Sequence, residues 1–439
     1  DFVLRGDIED FPFSAPGTGQ FLVEGQLAGS RLDYAKAWPA IDDVNGTLRF
    51  EAATMQIDMR SGRVMGLSLA DTRATIAELD VPVLRIAGTA KGQANDMIRF
   101  VNASPIAAKI NQFSQDMQAQ GLASLDLGLV LPLDDLDRSQ VRGTVSLQGN
   151  ELRFAPQFPS MSNVRGTFGF TEQALIVSGA QAQFLGGTIA IEGKTDEQSV
   201  LRLQASGCAS AQGLQSLVAH PVMKSLEGYL DYQAAISLEG QGMDLRLQSN
   251  GLGLLSRLPP PLAKAAKDAW PIRVDMVPGQ RFGGAIDKQG IRRDDQIRIR
   301  IHDDAQLWIG RERARPQDPM QVASGVIAIG SEALLPARGL AISARLEDLE
   351  VDPWIALLQG DGSASAGPLV PERLAISARH LRYGNRDLSN AVLGASFDRG
   401  HWRLNLESRE LAGFASWRVD SKDDPGEVVG RFRRVHWPH

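Results

Sequence analysis

The chain has 439 residues, is 43% hydrophobic, and carries 46 Lys and Arg against 52 Asp and Glu for a formal net charge of −6. That apolar content excludes global disorder, and a small, evenly spread charge with no basic-aromatic stripe excludes a nucleic-acid partner. A single cysteine, Cys208, rules out an internal disulfide framework and argues against a cysteine-based zinc site, while fitting cytoplasm and periplasm equally.

No run approaches the roughly 18 to 20 apolar residues of a membrane-spanning helix, and the opening DFVLRGDIEDF is not a signal peptide. The expectation is a piece of something longer, whose targeting and anchoring signals lie outside these residues. From Phe21 onward the dominant period is two. Val44, Gly46, Leu48 and Phe50 fall on one face with Asn45, Thr47 and Arg49 on the other, and Met55, Ile57 and Met59 repeat the pattern. Such alternation predicts antiparallel strands with one apolar and one wet face.

Helical signal is sparse. Asn95 is placed to cap a segment from Asp96 to Asn102, and Pro105 to Gln118 reads as an amphipathic helix showing Ile106, Ile110, Phe113 and Met117. Leu125, Leu127, Leu129 and Leu131 then alternate with small or polar residues. Ala211 to Ala219 and Pro221 to Leu226 predict further short helices, followed by alternation of Leu230, Tyr232, Ala234, Ile236 and Leu238. The stretch from Ser249 to Pro271 contains three consecutive prolines and reads as a loop with a short helix. Beyond it the alternation resumes in Ile297, Ile299 and Ile301, in Leu340, Ile342 and Ala344, and in Trp402, Leu404 and Leu406. Asp352 with Pro353 reads as an N-cap and first helical position, opening a helix through Leu358.

Sliding the sequence by 120 residues lays Leu32 to Gly66 over Leu152 to Gly186 without a gap, with 8 of 35 positions identical, among them Val44, Gly46, Thr47, Phe50 and Gly66. A self-match at fixed period marks an architecture built by repetition. A fainter echo runs from His380 to Trp417. The prediction is a mostly β chain of roughly twenty-five short strands. It forms a long repetitive antiparallel sheet with a few short helices. A twisted sheet that large must curl, split or close, and regular repetition favours a ribbon curled into an open groove. The expected organisation is a repeat-bearing segment over 1–248, with copies near 32–133 and 152–238, a Pro-rich connector over 249–271, and a second β-groove segment over 272–439.

Chemistry of sites is absent from the sequence. The six histidines show no metal-ligand spacing, Gly-rich spots lack the lysine of a phosphate loop, and no nucleophile elbow is present. The acidic pairs Asp134-Asp135, Asp294-Asp295 and Asp303-Asp304 lack calcium-loop spacing and read as solvated turns. No cofactor, metal or catalytic residue is assigned, and no enzyme is expected. What remains is the apolar face. Its ordinary destination is a sandwich core, but the repeat supplies one kind of sheet and helices are too few to blanket it. The groove-lining candidates are Leu48, Phe50, Met55, Ile57, Leu127, Leu129, Leu131, Phe168, Phe170, Leu175 and Val177.

These residues sit within stretches that resemble the YhdP family of AsmA-like envelope proteins, related to the bridge-like lipid-transfer superfamily. The marks are LDYAKAWPAIDDVNGTLRFE, the strand-end FLGG at Phe184 to Gly187, FVNASPI, LVAHPV, GLLSRLPPPLAKAA, GLAISARLEDLEVDPWIALL and GHWRLNLESRELAGFASWRV, in order from about Leu22 to Val435. The resemblance implies a periplasmic body carried by an inner-membrane helix outside this chain. It further implies a β groove that moves phospholipid between the inner and outer membranes of a Gram-negative bacterium and supports the outer-membrane barrier, with envelope proteins as partners. The rival expectation is a non-enzymatic β scaffold that assists assembly of outer-membrane proteins through its open edges.

Overall fold

Alternation becomes strand along nearly the whole chain. The computed structural model describes all residues except 14, 16, 110–113, 155–157, 219, 240–241, 279–294, 313–319, 360–370, 399, 419–426 and 437–439, and the side chains of 108, 109, 221, 242, 278, 358 and 359. Among the described residues there are twenty-seven strands in one mixed sheet. Strand β1 (Phe2–Gly6) pairs only with β2 (Gly19–Leu32), and the last strand, β27 (Glu427–Val435), pairs only with the strand before it, so the sheet does not close on itself. The chain divides into two units, one comprising 1–184, 188–205 and 237–242, the other 185–187, 206–236 and 243–439.

In the first unit, β2 is followed by β3 (Ile41–Glu51), β4 (Thr54–Val64), β5 (Leu67–Ile76) and β6 (Val83–Gln93), each antiparallel to the last. Helices α1 (Ala94–Asn102) and α2 (Ile106–Lys109) come next. Then follow β7 (Gln118–Gln120), β8 (Leu122–Pro132), β9 (Gln140–Arg153), β10 (Met161–Thr171), β11 (Leu175–Phe184), β12 (Gly187–Thr195) and β13 (Leu201–Ser210). The repeat is visible in these bounds: β10 and β11 reproduce β3 and β4 at the 120-residue offset, and α3 (Ala211–Gln215) follows β13 as α1 follows β6.

Backbone detail repeats as well. Asp43 and Asn163 both take left-handed φ, 54° and 52°, and each lies in a register irregularity at the start of its strand. Asp and Asn tolerate that conformation, which lets a bulge tighten the local twist. Two-residue turns with positive φ at both positions, Met65-Gly66 and Leu185-Gly186, join β4 to β5 and β11 to β12.

At one end of the first copy, buried Ile41, Val44 and Met59 pack with Leu27, Leu32, Tyr34 and Leu69. Trp38 bridges Tyr34 and Phe100 of α1, at 6.2 Å between ring centroids on each side. The amphipathic α1 buries Ala94, Met97 and Phe100. Its N-cap is Gln93, without a side-chain cap bond, so Asn95 lies inside the helix and does not cap it. The helix predicted from Pro105 to Gln118 is shorter: α2 ends at Lys109, residues 110–113 lie outside the described residues, and Gln118 opens β7. Ser114 is drawn back toward α1 instead, its hydroxyl donating to Asn102 Oδ1 at 2.6 Å.

The second unit carries β14 (Leu226–Glu239), β15 (Gly242–Ser249), β16 (Leu254–Arg257), β17 (Ala263–Lys264), β18 (Ile272–Pro278), β19 (Asp295–Ile301), β20 (Ala305–Glu312) and β21 (Gln321–Ile329). After these come β22 (Gly339–Glu350), α4 (Val351–Gln359), β23 (Pro371–Tyr383), β24 (Arg386–Asp398), β25 (His401–Glu407) and β26 (Leu411–Arg418). The Pro-rich stretch forms the small β16–β17 pair where a helix was expected. Leu262 N–H donates to Pro259 O to turn the chain, and buried Lys264 donates from Nζ to Leu254 O at 2.7 Å. The Ala211 and Pro221 helices are likewise reduced, to α3 and a 3₁₀ turn over Pro221–Ser225.

Most of the ladder is antiparallel, whereas β21–β22 and β22–β23 are parallel. Parallel neighbours need a crossover. The chain between β22 and β23 contains α4, and between β21 and β22 the segment 330–338 crosses the sheet, where Ala333 and Leu335 cover Trp308, Val326 and Ala328. Asp352 falls within α4, which begins at Val351, so it is not the N-cap; its carboxylate accepts from Gly384 N–H at 2.6 Å.

Candidate functional site: one apolar face of the sheet

Paired residues on neighbouring strands point to the same side of a sheet. Following the register through the first unit, Leu48 of β3 lies opposite Ile57, which leads in turn to Ala74, Ile86, Leu129 and Val141. The next rung runs Val23, Phe50, Met55, Ile76, Leu84 and Leu131. A third contains Gly88, Leu127, Gly143, Phe170 and Leu175, and a fourth Ala90, Leu125, Val145, Phe168 and Val177. All eleven residues named from the sequence therefore share one face.

Their exposure differs. Ile57, Leu129, Leu131 and Val177 are buried, Leu131 completely. Leu48, Phe50, Met55, Leu127, Phe168, Phe170 and Leu175 are half-buried. The face is thus a packed apolar strip whose margins still meet solvent.

The other face of the same strands is charged. Arg73 and Asp58 are register partners and an ion pair, and hydrogen bonds from Gln56 and Arg73 hold the Asp58 carboxyl below the usual carboxylate range. A recess of about 880 Å³ crosses β4, β5, β6, β8 and β9. Its lining draws on both faces, with Asp58, Arg73, Asp126 and Arg142 from the polar side and Gly88, Leu127 and Gly143 from the third apolar rung.

The second unit carries an apolar face of its own that was not among the sequence candidates. Leu247, Val274, Ile299, Leu307, Ile327, Ile342, Leu374, Ala395, Leu404 and Ala415 are successive register partners from β15 to β26. All but Ala395 are half-buried. The signal was present as the alternation of Ile297, Ile299 and Ile301 and of Leu340, Ile342 and Ala344, which lie on this face.

Two polar pairs stand out, one at the strand ends of this face and the other on its reverse. Asp295, expected in a solvated turn, is buried and receives two hydrogen bonds from its register partner Arg311, the Nε to Oδ1 contact being 2.7 Å. Asp294 lies outside the described residues. Arg298 stacks over Trp308 with its guanidinium carbon 4.6 Å from the ring centroid. No three His, Cys, Asp or Glu side chains among the described residues gather to hold a metal, and no helix among them is long and apolar enough to cross a membrane.

The family model described as YhdP protein matches residues 1–439. The intermembrane phospholipid transporter YhdP of Escherichia coli (strain K12) is 21% identical over 425 residues, which are 93% of this chain and 32% of the relative. The chain thus spans about a third of that relative's length. No solved structure matches.

Proposed function

The chain belongs to the YhdP family, and from that premise we propose that it is a section of a phospholipid conduit, with acyl chains lying along the apolar face and headgroups left in water. The observation that carries this reading is the register that aligns Leu48, Phe50, Met55, Leu127, Phe170 and Leu175 on one half-exposed strip.

The physics of the cargo supports the role. Each methylene costs about 0.8 kcal/mol to expose, so a two-chain lipid of roughly 30 methylenes faces on the order of 20 kcal/mol for crossing water freely. An apolar strip removes most of that barrier without any bond being made or broken, so no catalytic group is required. Hydrogen bonding between strands fixes the strip, while the tails need only a greasy surface of the right width.

In this reading the section stands in the periplasm of a Gram-negative cell as part of an inner-membrane-anchored protein. It passes phospholipid between inner and outer membranes and so supports the outer-membrane barrier. The name of the Escherichia coli relative, an intermembrane phospholipid transporter, supports the choice of cargo. Native mass spectrometry after gentle purification tests it. Copurifying phospholipid is the expected result, and a lipid-free chain that instead captures a β-barrel protein would overturn the conduit in favour of an assembly scaffold.

A further inference from the structure

Antiparallel pairing gathers the connections of the first unit at two edges of the sheet. At the edge that carries α1 and α2, the connecting segments 33–40, 65–66, 94–117 and 154–160 hold three acids, Asp33, Asp96 and Asp116, against three bases, Lys36, Arg99 and Lys109. The other edge has only turns and 3₁₀ pieces, in segments 7–18, 52–53, 77–82, 133–139, 172–174 and 196–200. These hold eleven carboxylates and one base, Arg138, a net charge of −10 where the whole chain has −6. Charge that is evenly spread along the sequence is therefore concentrated at one edge by the strand pairing.

The apolar strip comes to the surface within this edge. Leu133 N–H donates to Pro82 O at 2.9 Å, so segments 77–82 and 133–139 lie side by side. Their carboxylates Glu78, Asp80, Asp134, Asp135 and Asp137 are all exposed, and none makes an ion pair among the described residues. Among them stand Leu79, Val81 and Leu133, exposed by 37%, 59% and 37%. The strand pair Val83 and Pro132 joins these residues to Leu84 and Leu131, register partners in the second rung of the strip.

An apolar surface that ends in a fringe of negative charge fits an amphiphile whose polar end is not negative overall. Like charges within a Debye length, about 8 Å at physiological salt, repel an anionic headgroup, while a terminal ammonium is attracted. We infer that phospholipid headgroups lie over this turn-bearing edge, and that its carboxylates select lipids with an ammonium headgroup over lipids of net negative charge. The inference rests on the conduit reading and adds to it a headgroup position and a substrate class.

The experiment loads the 439-residue chain from vesicles of equal dioleoyl phosphatidylethanolamine and dioleoyl phosphatidylglycerol, with EDTA present, and reads the bound ratio by mass spectrometry of extracted lipid. The two lipids share tails and phosphate and differ in the terminal ammonium. Repulsion by a few neighbouring carboxylates predicts an ethanolamine preference of roughly three- to tenfold at 100 mM salt. At 1 M salt, where the Debye length falls to about 3 Å, the ratio should approach one. Combined Glu78→Gln, Asp80→Asn, Asp134→Asn, Asp135→Asn and Asp137→Asn should have the same effect with total lipid unchanged, whereas Asp71→Asn with Asp126→Asn, away from this edge, should keep the preference. A wild-type ratio of one, a preference for phosphatidylglycerol, or a preference that survives both high salt and the five substitutions would overturn the inference and leave the conduit standing. A wild-type chain that takes up neither lipid would overturn the conduit reading itself.

Discussion

The ring of Phe170 lies across the backbone of Gly143, its register partner on the neighbouring strand, so closely that a Cβ on Gly143 would collide with it. This contact shapes the apolar strip: the bare glycine lets an aromatic ring lie down between Leu127 and Leu175. Gly143→Val should therefore destabilise the chain by about 1–3 kcal/mol through overpacking, despite valine's preference for strands. Gly128→Val is the control. A Cβ there meets nothing nearer than Arg142 O at 3.8 Å, so its effect on urea unfolding should be neutral or slightly stabilising.

The repeated turns make a second prediction. Met65 and Leu185 hold φ of 50° and 51° as the first residues of matching two-residue turns, a conformation that suits asparagine far better than either side chain. Met65→Asn and Leu185→Asn should each raise stability by about 0.5 kcal/mol, additively because they occupy separate turns. Thermal unfolding of the single and double variants checks both the sign and the sum.

Glu410 predicts the acid behaviour. Burial alone would raise its carboxyl, but the N–H and hydroxyl of Ser389, its own N–H and the Ser408 hydroxyl outweigh that and hold it below its ordinary 4.5. Ser389 N–H approaches Glu410 Oε2 at 2.7 Å. A carboxylate depressed in the folded state contributes stability that is complete above about pH 4.5 and is lost as pH falls through the folded value. Glu410→Ala should cost about 2 kcal/mol at pH 7, with the penalty shrinking toward pH 3. A penalty independent of pH would show that the carboxylate is not held ionised by these donors.

Much of this was legible in the sequence because the same physics wrote it twice. The 120-residue self-match foretold β10 and β11 from β3 and β4, and the alternation around Leu48, Phe50, Leu127 and Phe170 foretold a common face, since a side-chain period of two survives any curvature of the sheet. Helix ends were less legible. Asn95 and Asp352 are good capping residues, but the strands leading into α1 and α4 run directly into helix and move each start to an earlier residue. Parallel pairing of β21, β22 and β23 was hidden because strand composition does not record which neighbour a strand takes. Asp295 reads as a turn residue until register sets it opposite Arg311, a long-range fact with no local signature.

Site-specific photocrosslinking in cells tests the central claim most directly. A photoreactive side chain is placed singly at Phe50, Leu127 and Phe170 on the apolar face, and at Arg49, Asp126 and Thr167 on the opposite face. Phospholipid adducts are expected at the first three positions and not at the others, and Phe50→Asp or Phe170→Asp should abolish adducts at neighbouring apolar positions while the sheet still forms by circular dichroism. Equal labelling of both faces, or no lipid at Phe50, Leu127 and Phe170, would contradict the conduit.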